Sequence, residues 1–172
     1  LLRHKRCVSN ISEFSKRSTF HRILEDDAYS KVSNLLELKK KDDKIKKVVM
    51  CSGKIYYDLL EERERTKTDD VIFIRLEQLY PFPDHDIQEY LKSLKAAKDI
   101  VWCQEEPKNQ GAWSFMEANI EWVLSRMNAK FTRPIFVGRP ASASPATGLA
   151  SQHKEQQKLL VGEALNLKET KK

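Results

Sequence analysis

Four short stretches carry the polar groups that could act on a ligand: Ser52-Gly53-Lys54, Glu77-Gln78, Gln104–Gly111 and Arg139–Gly148. In the first, a glycine follows an apolar run and a lysine opens what reads as a helix. Free backbone N–H groups beside an ammonium suit an anion. One glycine and one lysine fall short of the GxxxxGK[ST] phosphate loop, so plain helix capping competes with that reading. Gln104-Glu105-Glu106-Pro107 holds two adjacent carboxylates. Neighbours on an extended chain point to opposite faces, so Glu105 and Glu106 do not form one acid–base dyad. They are expected instead to make contacts across a subunit boundary, or a salt link to Arg139. The loop from Arg139 to Pro145 offers a guanidinium, the hydroxyls of Ser142 and Ser144, and proline-stiffened turns. Such a loop can hold a phosphate or carboxylate, or it can be a tight surface turn.

Other candidates carry less. His4, His21, His85 and His153 are isolated, and the sequence contains no HExxH, CxxC or nucleophile elbow. No histidine is given a role, no metal site is expected, and no catalytic residue is assigned. Trp102, Trp113 and Trp122 read as packing groups.

The elements that must position these groups follow from periodicity. Val48–Cys51, Asp70–Leu76, Asp99–Cys103 and Phe131–Val137 are short apolar runs, as strands covered on both faces should be. Between them lie stretches with helical spacing. One runs from Lys54 to Arg65, with Ile55, Tyr56, Leu59 and Leu60 inward and Ser52 as N-cap. A second is capped by Asp84 and buries Ile87, Leu91 and Leu94, with Tyr90 beside them. A third follows Gly111, with Ala112, Phe115, Met116, Asn119, Trp122, Val123 and Met127 as its stripe. A last helix opens at Ser151 and turns Leu159, Leu160, Ala164 and Leu165 inward. Pro81 and Pro83 exclude a sheet interior there. Strands alternating with helices of about a dozen residues imply an α/β fold with a three-layer, mostly parallel sheet of about five strands. Ligands would gather at the carboxyl ends of its strands, where the four polar stretches sit.

The chain divides into an N-terminal arm and charged linker at residues 1–46, an α/β domain at 47–167, and a basic tail at 168–172 expected to be disordered. A short strand or turn is expected near Phe20–Leu24. The net charge of +6 is concentrated outside the domain: residues 1–47 hold 13 Lys/Arg against 7 Asp/Glu. The Lys39–Lys47 run is broken by acids and has no aromatics, which argues for a solvated linker and against a nucleic-acid surface. Three well-separated cysteines argue against a disulfide framework, and Cys51 and Cys103 sit in apolar runs as small hydrophobes. No stretch approaches the roughly 20 apolar residues of a membrane span. The N-terminus lacks a signal-peptide layout, and a first residue of Leu rather than Met leads us to expect a piece of a longer chain.

Several strings, in order, resemble one family: LLRHKRCVS at Leu1–Ser9, CSGKIYYDLL at Cys51–Leu60, RLEQLYPFP at Arg75–Pro83, VWCQEEPKNQGAW at Val101–Trp113 and GRPASASP at Gly138–Pro145, followed by Ser151–Asn166. They are similar to the C-terminal region of the decarboxylating, thiamine-diphosphate-dependent component of 2-oxoglutarate dehydrogenase. The resemblance implies a transketolase-C-terminal-like domain. It implies a parent enzyme that uses thiamine diphosphate and magnesium to decarboxylate 2-oxoglutarate in the tricarboxylic acid cycle. The succinyl group would pass to the lipoyl acyltransferase component. In such relatives the cofactor lies between two other domains and uses a GDG-type magnesium motif. No GDG triplet occurs here, so no cofactor site and no turnover are expected of this piece.

The resemblance further implies a homodimer partner, and an acetyl-CoA or AMP effector on this domain. Lys54, Gln110 and Arg139, with Ser142 of the same loop, are the candidate effector or anion-binding positions. Glu105 and Glu106 are the candidate interface positions. The implied location is the bacterial cytoplasm, or the mitochondrial matrix for a eukaryotic source. Enzymes acting on 2-oxoadipate share much of the pattern. Two other readings stand beside it: a freestanding small-ligand-binding α/β domain, and a hydrolase using Glu105 or Glu106, which lacks a nucleophile–base pair.

Overall fold

Continuous apolar strands need cover on both faces, and among the described residues four α-helices supply it. The computed structural model describes residues 1, 3–9, 11–15, 18–26, 28, 44–127 and 132–166. Most of the expected linker and all of the expected 168–172 tail lie outside the described residues. Five strands form one sheet: β1 (Ile23–Leu24), β2 (Lys47–Cys51), β3 (Val71–Leu76), β4 (Asp99–Pro107) and β5 (Ile135–Arg139). Their order is β1-β3-β2-β4-β5, with β1 antiparallel to β3 and the rest parallel. The fold is therefore the mostly parallel α/β sheet that the apolar runs predict. The short strand expected near Phe20–Leu24 is β1.

The helices are α1 (Ile55–Thr66), α2 (Asp84–Lys92), α3 (Trp113–Arg126) and α4 (Ala150–Ala164). α1 packs against α4, and α2 against α3. Strand side chains alternate between the two layers. Val49, Cys51, Phe73, Val101 and Cys103 join Ile55, Leu59, Leu160 and Val161 on one face. Val48, Met50, Ile72, Ile74 and Trp102 join Ile87, Leu91, Met116 and Val123 on the other.

The chain leaves β2 for β3 on one side, then crosses over β2 to β4 and continues outward to β5. The connections reverse direction between β2 and β4, and a crevice opens beyond the carboxyl ends of strands at such a switch point.

Several local expectations are corrected. α1 begins after Lys54 and receives no side-chain cap, so Ser52 is not its N-cap; Gly53 turns the chain with φ +75° instead. Asp84 is the first helical residue of α2 and its cap position is Pro83. β4 runs on to Pro107 instead of ending at Cys103, because Pro107 pairs with Arg139 beyond an irregularity in the ladder. β5 likewise reaches Arg139, while residues 128–131 lie outside the described residues. The buried stripe of α3 is Trp113, Met116, Ile120, Val123 and Leu124. Phe115 and Trp122 are exposed instead. Arg126 lies 4.1 Å over the Trp122 ring, so that indole covers an arginine and not the core. In α4, Val161 is buried and Leu159 faces out.

Candidate functional site

The carboxyl edge of the sheet brings the expected polar residues into two linked networks. Lys54 stands just beyond β2, and its Nζ lies 3.3 Å from Glu105 on β4 and 3.4 Å from Asp58 one turn along α1. Partial burial pulls the Lys54 ammonium down, but Glu105 and then Asp58 outweigh it and raise its pKa above the ordinary value. Gln157 of α4 donates to both carboxylates, at 2.9 Å to Glu105 and 2.7 Å to Asp58. Its carbonyl oxygen accepts from Arg139 Nη2 at 3.2 Å. Glu105 therefore pairs with Lys54 and reaches Arg139 only through Gln157; the direct Glu105–Arg139 salt link does not form. Arg139 is buried, and its Nη2 also lies 2.9 Å from Nδ1 of His153. A guanidinium has no acceptor, so that His153 nitrogen is the unprotonated one.

The second network joins two loops. Asn109 and Ser142 exchange hydrogen bonds: Nδ2 donates to the Ser142 carbonyl at 3.0 Å, and the Ser142 N–H donates to Oδ1 at 3.0 Å. Gln110 adds a donation to the same carbonyl at 3.2 Å. Ser142 Oγ accepts from the Ser144 N–H. All four candidate anion-binding residues are thus held by neighbours on one edge. Glu106 does not join them. It lies on the opposite face of β4 from Glu105, beside Trp102 and Gln104 in the crevice, as strand alternation requires.

That crevice, about 580 Å³, lies at the β2/β4 switch point. Gln104 anchors its floor: its Oε1 accepts from the Trp102 indole at 2.9 Å, and its Nε2 donates to the Gln110 carbonyl at 2.7 Å. Gly111 has φ +68°, and a Cβ there would stand 2.9 Å from Gln104 Nε2, so any other residue strains the backbone and displaces that amide. Gly138 is similarly confined, since a Cβ would meet the Gln104 carbonyl at 2.9 Å and Phe136 closer still. Tyr80 and Phe115 form the rim with ring centroids 6.5 Å apart.

Sequence reasoning missed Asp58, Gln104, His153 and Gln157. Gln104 had a local signal in the strand–QEEP–glycine string, and Asp58 one as the residue four places after Lys54 on a helix; Gln157 acts on partners 52 and 99 residues away, and His153 across the β5–α4 loop.

Residues 8–165 match the family model described as "2-oxoglutarate dehydrogenase C-terminal". The chain belongs to this family. It is 53% identical to the "2-oxoglutarate dehydrogenase E1 component" of Brucella anthropi over 165 residues. The proteins of the same name from Brucella ovis and Brucella canis are 52% identical over the same length. In each case the alignment covers 96% of this chain and 16% of the relative. The chain is thus the C-terminal domain of a 2-oxoglutarate dehydrogenase E1 component, and it spans a small part of the relatives it matches. In this C-terminal domain, the QEEP string is the outer half of β4, and the RPASASP string begins at the last residue of β5. Among the described residues, no helix is long and apolar enough to cross a membrane.

Proposed function

We propose that this domain is a supporting module of a thiamine-diphosphate- and magnesium-dependent E1 component, and that it performs no turnover alone. The parent would decarboxylate 2-oxoglutarate and pass the succinyl group to a lipoyl acyltransferase, in the bacterial cytoplasm. The observation that supports this reading is the lining of the switch-point crevice. Trp102, Tyr80, Phe115 and the hydrogen-bonded Gln104 amide supply packing surface there, and Glu106 is the one acidic side chain in the lining, with no His, Lys or Cys beside it as a partner. A catalytic site would need a nucleophile–base or acid–base pair at that place.

The cofactor does not fit these residues. A magnesium-held diphosphate needs clustered oxygen ligands. Among the described residues, no group of three or more His, Cys, Asp or Glu side chains could hold a metal ion. Asp58 and Glu105 are already engaged by Lys54 and Gln157. Thiamine diphosphate is therefore assigned to the remainder of the parent protein.

In this reading the exposed rings of Tyr80 (82% exposed) and Phe115 (39%) pack against protein at the homodimer interface, with Glu106 alongside, while Glu105 on the opposite face of β4 stays with Lys54 and Gln157. The edge formed by Lys54, Gln110, Arg139 and Ser142 takes an anionic effector, acetyl-CoA or AMP. Sedimentation of the full-length protein carrying Tyr80→Ser and Phe115→Ser tests the interface: dissociation of the dimer is expected, and an intact dimer overturns this role for the crevice. The 172-residue chain supplied with thiamine diphosphate and magnesium should not consume 2-oxoglutarate; turnover would overturn the supporting role.

A further inference from the structure

Of the eleven large apolar side chains exposed among the described residues, five lie in the first twenty: Leu1, Val8, Ile11, Phe14 and Phe20. Scattered exposed apolar residues need no explanation, but a run of them along one segment marks a contact surface. Val8, Ile11 and Phe14 are spaced three apart, and a short 3-10 turn, Ile11–Phe14, carries the last two. Such a helix has three residues per turn, so Ile11 and Phe14 stand on the same side. None of its four residues is buried; Ile11 is 92% exposed and Phe14 79%.

The arm is pinned to the domain at both ends. Before these residues, Arg6 Nη1 lies 2.7 Å from Glu64 of α1, and the His4 ring packs on Tyr57 with centroids 4.4 Å apart. After them, β1 pairs with β3, and the Arg22 carbonyl accepts from the N–H groups of Glu77 and Gln78. Between the two anchors, Glu13 Oε2 lies 3.2 Å from His21 Nε2. The domain thus engages polar groups of the arm and leaves its apolar side chains facing outward.

The parent chain supplies the cover. The domain is C-terminal in its family and aligns with 16% of its relatives, so most of the parent precedes Leu1. That portion is tethered seven residues before Val8, and a tethered surface has a high effective concentration against any free partner. Lipid fits less well: a four-residue turn with Glu13 between Ile11 and Phe14 is too short and too polar to lie in a membrane interface.

We propose that Val8, Ile11 and Phe14 pack against the portion of the same parent chain that precedes Leu1. The arm is then an interdomain clamp and not a solvated linker. None of the residues of the crevice or of the effector edge takes part, so this contact stands or falls apart from those readings.

The test uses the full-length protein with the photo-crosslinking residue p-benzoylphenylalanine in place of Phe14. Irradiation should join this position to residues that precede Leu1, in a product that still runs as a single chain on a denaturing gel and is mapped by mass spectrometry. A product of doubled mass shows a second copy on this surface and overturns the proposal. So does a cross-link to the lipoyl acyltransferase, or to lipid when phosphatidylglycerol vesicles are present. In hydrogen exchange of the full-length protein, residues 8–15 should be protected. Ile11→Ser and Phe14→Ser should each speed exchange there about tenfold, the loss of one buried apolar side chain from the contact. Exchange in β2–β5 should stay unchanged, which separates opening of the clamp from unfolding of the domain. Residues 8–15 exchanging as fast before substitution as after it, or no cross-link to the preceding portion, overturns the proposal.

Discussion

Arg63 on α1 and Asp26 beside β1 are joined by a two-point ion pair in which both side chains are completely buried. Nη2 donates to Oδ1 at 2.7 Å and Nη1 donates to Oδ2. Asp26 also accepts from the N–H groups of Ala28 and Phe73, and the guanidinium lies 4.3 Å over the Phe73 ring. The pair ties the segment before the linker to the helical layer and to β3. Asp26→Ala leaves a guanidinium buried without its anion. Urea unfolding should show a loss of about 3–5 kcal/mol, with part recovered in Asp26→Ala/Arg63→Met. A single variant as stable as the parent would show that the pair contributes nothing.

Gly111 is confined by a neighbour and by its own φ of +68°, with Gln104 Nε2 at 2.9 Å from where a Cβ would stand. Gly111→Ala must displace the amide that also bonds the Trp102 indole. The expected cost is about 1–3 kcal/mol, with a shift in Trp102 fluorescence. Adding Gln104→Ala should relieve the clash but not the backbone strain, so rescue is partial. An unchanged Tm in Gly111→Ala would contradict this packing.

Cys51 and Cys103 are register partners on adjacent strands, both fully covered. Burial raises both thiol pKa values, that of Cys51 well above its ordinary 9.0 and that of Cys103 to about 12. A thiol raised in the folded state contributes its full stability below the unfolded value. That stability is lost as pH rises through the folded value, because only the unfolded chain ionises early. Stability should therefore fall between pH 9.0 and about 12, and less steeply in Cys51→Ala/Cys103→Ala. Near neutral pH a thiol reagent should modify exposed Cys7 alone, and all three cysteines after denaturation. Fast labelling of Cys103 in the native chain would refute its burial.

Lys47 opens β2, and its Nζ donates to the Ala164 carbonyl at 3.2 Å and to the side chain of Asn166. A cation on the last carbonyls of a helix completes their hydrogen bonds and opposes the helix dipole. Burial nonetheless pulls its pKa below the ordinary value, against Asp99, Glu163 and Asp70. Lys47→Met should fray the end of α4 and cost about 1–2 kcal/mol. Hydrogen exchange at Leu165 and Asn166 should accelerate while that of β3 holds; equal exchange at both places would reject the cap.

The contrast between Trp113 and Trp122 shows where sequence reading ends. Spacing within α3 allows two apolar stripes about one residue apart, and the amino acids alone favoured the one through Phe115 and Trp122. The sheet buries Trp113, Ile120 and Leu124 instead, because α3 is rotated to meet β4 and α2. The same ambiguity placed Leu159 inward in α4, where Val161 is buried. Caps were misread for a related reason: Ser52 and Asp84 are good capping types, but the backbone entering each helix decides whether their oxygens can reach an N–H.

What the amino-acid order determined by itself is the alternation of strands and helices, the parallel sheet, and the polar edge that carries Lys54, Glu105, Gln110, Arg139 and Ser142. Those are consequences of local hydrophobic period and of the rule that strand ends face outward. What only the tertiary structure decided is who partners whom along that edge. Gln157 lies 52 residues from Glu105 and 99 from Asp58, and it meets them because α4 folds back beside α1. Among the described residues, that same packing leaves Arg139 buried with His153 and Gln157 as its side-chain partners. No local spacing encodes a contact that exists only once two helical layers have closed on the sheet.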